Sequence, residues 1–234
     1  MAPGGREDPV GAGMSEGLDP RIISPPEVAF LAACQRRAPS HLGGGAALAG
    51  CHLRHRLSAD FDLFFHSRDD LRELVNRLPE VTEETGMAVA IVRDAGTFVR
   101  ARLETARTPM ELDLVHDPVP DIEPPPPAVD GLVLESLADL RAKKLTCILS
   151  RSEPRDLVDL LFLDRAGYPP ERDLALALRK DAGIDPGVLA WLLGQFPISP
   201  LPTMLVPLTE DELRSFRDDL RERFRRLAVP GDPG

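Results

Sequence analysis

Two aspartates stand one residue apart inside an apolar stretch, LSADFDLFF at residues 57–65. The stretch has the composition of a β-strand, in which residues two apart point to the same face. Asp60 and Asp62 therefore project together, while the apolar residues between and after them point to the opposite face, towards a core. Two neighbouring carboxylates repel each other, and a divalent cation such as Mg²⁺ relieves that repulsion. An edge strand with a solvated acidic face is the alternative explanation.

A second acidic strand favours the metal hypothesis. MELDLV at residues 110–115 repeats the alternation with Glu111 and Asp113. If this strand lies beside the first, Asp113 joins Asp60 and Asp62, and three carboxylates can hold two Mg²⁺ ions. Such a site suits phosphoryl or nucleotidyl transfer, in which one ion activates the attacking hydroxyl and the other neutralises a triphosphate. We expect Asp113 to be a ligand and Glu111 to be a surface residue.

A glycine-rich segment, HLGGGAALAG at residues 41–50, precedes the acidic strand. Glycines permit a tight turn and close approach of a ligand to the backbone, and the helix that begins near Ala46 directs free N–H groups at that ligand. A phosphate is the anion that fits there. The glycine spacing differs from that of the common phosphate-binding loops and is a weak signal by itself. The phosphate-site hypothesis therefore depends on the order of glycine turn, short helix and acidic strand. His55 and Arg56 could reach the phosphates or could cap the helix C-terminus.

Composition limits the classes to which the chain can belong. With 234 residues, 43% of them hydrophobic, it can form one large domain or two small ones. The net charge of -10 excludes a general nucleic-acid coat protein but leaves room for a local basic groove. The sequence lacks an apolar run of about 18–20 residues and an apolar N-terminal segment, which predicts a cytoplasmic protein without membrane association. Three scattered cysteines fit core positions in a reducing compartment.

Proline and glycine content divides the chain. We predict a disordered leader over 1–20, an α/β domain over 21–116, a proline-rich linker over 117–131, a helical domain over 132–228 and a flexible tail over 229–234. Helix and strand patterns alternate before the linker, and nearly every segment after it has helical periodicity. The predicted fold class is α+β, with a small mixed β-sheet and flanking helices followed by a helical C-terminal domain.

The helical part carries its own candidate residues. Lys144 lies beside an apolar helical stripe, where its ammonium group can face a site or reach towards solvent, and we expect its neighbour Lys143 in solvent. Arg155 and Asp159 are four residues apart and could simply pair on a helix surface. Trp191 is expected in the core of this part, as is Phe196. The histidines show no metal-ligand spacing except for His52 and His55, which are three apart on a helix and which a metal could bridge, but no further ligand is evident.

In this order the motifs resemble the nucleotidyltransferase toxins of the AbiEii/AbiGii type, within the DNA polymerase β-like nucleotidyltransferase superfamily. The residues that match the first family motif are Gly44, Gly45, Ala47, Leu48, Ala49, His55, Arg56, Ser58, Asp60, Asp62 and Phe64. A second motif, a lysine followed by an Arg-Asp-x-x-Asp helix, is matched by Lys144, Arg155, Asp156 and Asp159. The resemblance covers roughly residues 25–165.

The resemblance implies a fold and a reaction: a nucleotidyltransferase domain that moves a nucleoside monophosphate from an NTP such as ATP to an acceptor hydroxyl. It implies Asp60, Asp62 and Asp113 as ligands of two Mg²⁺ ions. Lys144 would contact the triphosphate and Asp159 would position that lysine or the acceptor. The remaining nucleotide-binding residues would be Gly44, Gly45, Ala46, Arg56 and Ser58. The family also implies tRNA as the acceptor and makes an antitoxin a candidate partner.

One departure from the family pattern leaves alternatives open. Ala46 stands where Ser or Thr is common, which removes a hydrogen bond worth about 0.5–1.5 kcal/mol. The chain could therefore be a partner-binding module with weak activity, or an enzyme that modifies a small molecule such as an aminoglycoside. The carboxylates and Lys144 favour an enzyme, because burying charges without a use costs several kcal/mol. The arginines of 214–226 form either a rim that faces RNA or a solvated helix face.

Overall fold

The computed structural model describes residues 17–228, so the predicted tail lies outside the described residues, as does the predicted leader before residue 17. A five-stranded mixed sheet forms the centre of the N-terminal half, in the order β1-β2-β5-β4-β3. Only β2 and β5 are parallel, and every other pair is antiparallel. The strands are β1 (His41–Gly43), β2 (Asp60–Phe65), β3 (Val89–Asp94), β4 (Phe98–Leu103) and β5 (Met110–His116). The short β1 lies where the sequence predicted only a glycine turn.

Two helices cover the apolar side of this sheet. α1 (Pro25–Arg37) begins with the predicted capping box, in which the Ser24 N–H donates to Glu27 at 2.6 Å. α3 (Arg68–Thr85) is capped by Ser67, whose hydroxyl accepts from the Asp69 N–H at 3.1 Å. The two helices pack against each other. Their buried side chains join the same core as the apolar residues of β2, which leaves the opposite face of β2 to its aspartates.

The glycine-rich segment forms two consecutive short helices. α2 (Gly44–Ala47) is followed directly by a π-helical turn over Leu48–Leu53. The turn ends at Arg54, which has a left-handed backbone with φ of 51°. π-Helical turns are uncommon and often lie at functional sites. The helical segment therefore ends earlier than the sequence pattern predicted. His55 and Arg56 follow it, in the connection to β2.

The C-terminal half is helical, as the sequence predicted. Its helices are α4 (Leu137–Ser150), α5 (Pro154–Arg165), α6 (Leu174–Lys180), α7 (Pro186–Leu193) and α8 (Glu210–Ala228), with a 3₁₀ turn at Pro170–Asp173. The buried apolar side chains of both halves form one continuous core. The predicted α+β fold class is thus confirmed. No helix among residues 17–228 is long and apolar enough to cross a membrane.

One core prediction for the helical part is wrong. Phe196 is buried as expected, but the Trp191 side chain is 68% exposed. α7 is apolar on nearly all sides, whereas only the side that carries Leu189 and Leu193 is fully buried. Trp191 projects from the uncovered side, because α8 packs against only one face of this helix.

Candidate active site

Parallel pairing of β2 with β5 brings the acidic residues together. In the register of the two strands, Asp60 lies opposite Glu111 and Asp62 lies opposite Asp113. Side chains directly opposite each other on neighbouring strands lie on the same face of a sheet. Asp60, Asp62 and Asp113 therefore share the polar face, and the intervening residues of β2 are fully buried on the other.

Two of the three carboxylates have arginine partners. Arg100, opposite Asp113 on β4, donates to both oxygens of that residue at 2.8 and 2.7 Å. Arg155 of α5 donates to Asp60 at 2.7 Å, and the Ser58 hydroxyl donates to the same carboxylate at 3.2 Å. Burial opposes ionisation, but Arg155 still holds the pKa of Asp60 below its usual value. The negative charge at both ends of the cluster is thus compensated within the protein.

Asp62, in the middle, has no such compensation. Within residues 17–228 its carboxylate makes no hydrogen bond and no ion pair. Burial, together with the charges of Asp60 and Asp113, raises the pKa of Asp62 to about 7. Burial and the two neighbouring charges thus both oppose the ionised form of Asp62.

The glycine segment is fitted to Asp62. Gly44 has φ of +61°, and a Cβ atom at this position would lie 1.8 Å from Asp62 Oδ2. A side chain is therefore excluded both by the left-handed backbone and by the carboxylate. A Cβ atom at Gly45 would lie 2.6 Å from Nη2 of Arg56. The two glycines let the backbone approach the acidic cluster on one side and the Arg56 side chain on the other.

A second charged cluster, fully buried, lies between α4 and α5. Lys144 Nζ lies 2.6 Å from Asp159 Oδ2 and 3.0 Å from Asp156 Oδ1. Burial alone would lower the pKa of Lys144, but the charges of Asp159 and Asp156 hold it above its usual range. Burial would likewise raise the pKa of Asp159, yet Arg56 and Lys144 hold it well below its usual range. The opposite charges in this cluster therefore favour the ionised form of Lys144 and of both aspartates.

Asp159 also fixes the residues that follow the π-helical turn. Arg56 is 1% exposed and donates to both Asp159 oxygens, each at 2.7 Å, while His55 Nε2 lies 2.8 Å from Oδ1. The remaining terminal nitrogen of Arg56 donates to the Leu57 carbonyl. Arg56 therefore supports the site through Asp159, and its contact with the phosphates stays a prediction. Ala46 is fully buried, so its methyl group faces the core.

A cavity of about 310 Å³ opens beside Asp62. The chain has only three lysines, and all three, Lys143, Lys144 and Lys180, line this cavity together with Gly44, Asp62, Phe64 and Arg151. The expectation that Lys143 lies in solvent is wrong. Its ammonium group lies 2.7 Å from Asp117 and 3.5 Å from the centroid of the Phe64 ring. The scarcity of lysine in an arginine-rich sequence is a signal that could have pointed to these positions.

The sheet and its acidic face define a nucleotidyltransferase fold, and two solved structures share it. JHP933 from Helicobacter pylori superposes with a TM-score of 0.54 at 20% identity, covering 88% of this chain and 91% of that one. MenT4, a nucleotidyltransferase toxin from Mycobacterium tuberculosis H37Rv, gives a TM-score of 0.52 at 16% identity, covering 86% of this chain and 85% of that one. At these identities the likeness concerns the fold alone. No curated protein matches the sequence.

The family follows from the sequence. The model of the family described as nucleotidyl transferase AbiEii toxin, type IV TA system, matches residues 30–233. The match covers most of the chain, so the protein belongs to the AbiEii nucleotidyltransferase toxin family. The resemblance drawn from the two sequence motifs is therefore confirmed.

Proposed function

We propose that this protein transfers a nucleoside monophosphate from an NTP to a hydroxyl group of RNA, with tRNA as the acceptor, and does so as the toxin of a toxin–antitoxin pair. The observation that carries the proposal is the uncompensated carboxylate of Asp62 between two other carboxylates. Buried charges of this kind are paired or bind metals. The description of the family supports the toxin role and makes an antitoxin the expected partner.

The residues present fit two Mg²⁺ ions. Asp60, Asp62 and Asp113 offer the carboxylate oxygens that Mg²⁺ prefers, and Gly44 leaves the space beside Asp62 that a side chain would fill. When bound, the ions supply the positive charge that neutralises the triphosphate and activates the acceptor hydroxyl. In their absence Arg100 and Arg155 stabilise the outer carboxylates.

The cavity beside Asp62 is the proposed nucleotide site. Three lysines and Arg151 give it a positive wall opposite the acidic cluster, which suits a triphosphate. Lys144 is the proposed triphosphate contact, and Asp159 and Asp156 hold it at the wall. Gly44, Gly45 and Ala46 contribute backbone rather than side chains, while Ser58 orients Asp60. Phe64 adds an apolar side chain to the lining of this cavity.

Partly exposed arginines favour RNA over a small cationic acceptor. Arg100 and Arg151 are 40% and 39% exposed and stand on two sides of the carboxylates. A rim of this charge attracts a polyanion and repels an aminoglycoside. The arginines of α8 contribute less, because they pair with acidic neighbours such as Asp211, Asp218 and Glu222 and none of them lines the cavity beside Asp62. Since NTPs and tRNA are cytoplasmic, we place the protein in the cytoplasm.

The test is incubation of the protein with each labelled NTP, Mg²⁺ and total RNA. The intact chain should label tRNA, and chelation of Mg²⁺ should abolish the label. Asp62→Asn should abolish it as well. Glu111→Gln is the matched control, because it removes a neighbouring charge from a residue that is not a proposed ligand, and it should retain labelling.

Two results would contradict the proposal. NTP binding without label in any acceptor would indicate a partner-binding module. Label on an aminoglycoside but not on RNA would indicate a small-molecule nucleotidyltransferase. For the toxin role, a host that expresses the intact chain should stop growing, whereas a host that expresses Asp62→Asn should grow. Equal growth of the two strains would contradict the toxin role.

A further inference from the structure

Two histidines and an aspartate meet at the end of the sheet that carries β1. His41 is the first residue of β1, and His66 directly follows the last residue of β2. Because these strands are antiparallel, with His41 opposite Phe64, the two imidazoles emerge at the same end of the pair. Asp121, from the proline-rich segment after β5, completes the group. These residues show no metal-ligand spacing along the chain, because antiparallel pairing and a long connection bring them together.

The distances within this group are short. His66 Nε2 lies 3.2 Å from Asp121 Oδ1, and His41 Nδ1 lies 3.8 Å from Asp121 Oδ2. One ligand atom from each of the three side chains lies within 4.8 Å of the others. The two rings stand edge to face with centroids 5.5 Å apart, so both can direct a nitrogen at one point.

We propose that His41, His66 and Asp121 bind one transition-metal ion of the Zn²⁺ class, at a site separate from the carboxylates of β2 and β5. This inference goes beyond the proposed function. Four-coordinate zinc has bonds of about 2.0–2.2 Å, which separates its ligand atoms by about 3.4 Å. The distance from His66 Nε2 to Oδ1 of Asp121 is 3.2 Å and that from His41 Nδ1 to Oδ2 is 3.8 Å, on either side of that value, and one ligand atom from each residue lies within 4.8 Å of the others. Imidazole ligands select Zn²⁺ and its neighbours over Mg²⁺.

The surroundings of His66 are those of a metal-binding imidazole. His66 Nδ1 lies 3.0 Å from the carbonyl oxygen of Asp117. With its proton on Nδ1, the ring donates to that carbonyl and keeps the lone pair of Nε2 for the shared point. Ligating histidines almost always have such an orienting hydrogen bond on the second nitrogen. The three side chains are only partly exposed, at 17%, 45% and 23%, which leaves room for a water molecule as a fourth ligand.

The site would connect the proline-rich segment to the sheet. Asp121 belongs to that segment, and so does Asp117, whose carboxylate holds Lys143 at the wall of the nucleotide cavity. An ion bound by His41, His66 and Asp121 therefore fixes the segment at the point from which Asp117 reaches the cavity. Its expected effect is on folding stability and on the position of Lys143, and not on the carboxylates of the acidic cluster.

The experiment is metal titration of the full chain after chelator treatment, with excess Mg²⁺ to occupy the acidic cluster. Calorimetry should give one Zn²⁺ per chain, and Co²⁺ should give the visible absorption of a four-coordinate ion. His66→Ala and Asp121→Asn should weaken binding by about 100-fold or more, and Zn²⁺ should raise the Tm of the intact chain but not of these variants. Both variants change partly exposed residues, and circular dichroism checks their folding.

Two controls separate this site from others. His116→Ala removes an imidazole near the end of β5 that is not part of the group, and it should bind Zn²⁺ like the intact chain. Asp62→Asn should also bind Zn²⁺ normally. The proposal is overturned if the intact chain binds no Zn²⁺ under these conditions, if His66→Ala and Asp121→Asn bind it unchanged, or if Asp62→Asn abolishes binding.

Discussion

The protein contains two clusters of aspartates that differ in their counter-ions. On β2 and β5, the central carboxylate of Asp62 has no cationic partner among the described residues, and its pKa is raised to about 7. Between α4 and α5, the fully buried carboxylate of Asp159 contacts the side chains of Arg56, Lys144 and His55. Arg56 and Lys144 hold its pKa well below the usual value. The first cluster is the one for which we propose a bound cation. The second supplies its own and holds the two halves of the chain together.

Removal of the paired carboxylate should have the largest effect on stability. Asp159→Asn leaves the buried charge of Arg56 without its carboxylate and leaves Lys144 with Asp156 alone, which also pairs with Arg151. We expect a loss of about 3–5 kcal/mol in the free energy of unfolding, measured by urea denaturation. Asp164→Asn on the same helix breaks only a partly exposed pair with Arg223 and should cost about 1 kcal/mol or less. Equal losses of unfolding free energy for Asp159→Asn and Asp164→Asn would show that the buried carboxylate contributes no more to stability than the partly exposed one.

The glycine beside the unpaired cluster should matter for activity. Gly44 and Gly86 both have positive φ, but a Cβ atom at Gly86 would meet nothing within 4 Å. Both Gly→Ala variants should lose about 1–2 kcal/mol of stability from backbone strain. Only Gly44→Ala displaces the Asp62 carboxylate, and we expect its transfer rate to fall by about 100-fold. If Gly86→Ala loses as much activity as Gly44→Ala, the loss does not come from displacement of the Asp62 carboxylate.

The two clusters should give opposite pH dependences. Asp62 binds a proton more tightly in the folded chain, with a pKa of about 7 against an ordinary value of 3.8. Its contribution to stability is therefore greatest at low pH and is lost as the pH rises from about 4 to about 7. Asp159 has a lowered pKa, so its contribution is present at neutral pH and is lost in acid.

Urea denaturation of the intact chain and of Asp62→Asn, with chelator at pH 5 and pH 8, measures the first of these trends. Relative to the variant, the intact chain should lose about 1–3 kcal/mol on going to pH 8. A constant difference between the two proteins across this range would show that Asp62 does not titrate there.

Local pattern predicted the parts of the molecule that are set by neighbouring residues. Alternation gave β2 and β5 with the correct residues on the polar face, and the capping box of α1 gave its first turn. The sequence could not predict that β2 pairs with β5, because no local signal shows which strands are neighbours. The three-carboxylate site was therefore predicted only on the condition that the two strands are adjacent. Once that condition holds, the register places Asp62 beside Asp113.

Long-range contacts were beyond the sequence. Arg56 and Asp159 are 103 positions apart, so nothing local showed that the arginine is used inside the protein. Lys143 looked like a solvated neighbour, since its partners Asp117 and Glu135 lie on other segments. Trp191 lies in an apolar helix, and only the placement of α8 decides which side of that helix is covered.

The most direct test of the account compares the response to Mg²⁺ of the intact chain and of Asp62→Asn in thermal unfolding at pH 8. In chelator the variant should be at least as stable as the intact chain, because it removes an uncompensated charge. Mg²⁺ should raise the Tm of the intact chain and leave that of the variant unchanged. If Asp62→Asn is strongly destabilised in chelator, or if Mg²⁺ stabilises both proteins equally, Asp62 does not bind the proposed Mg²⁺.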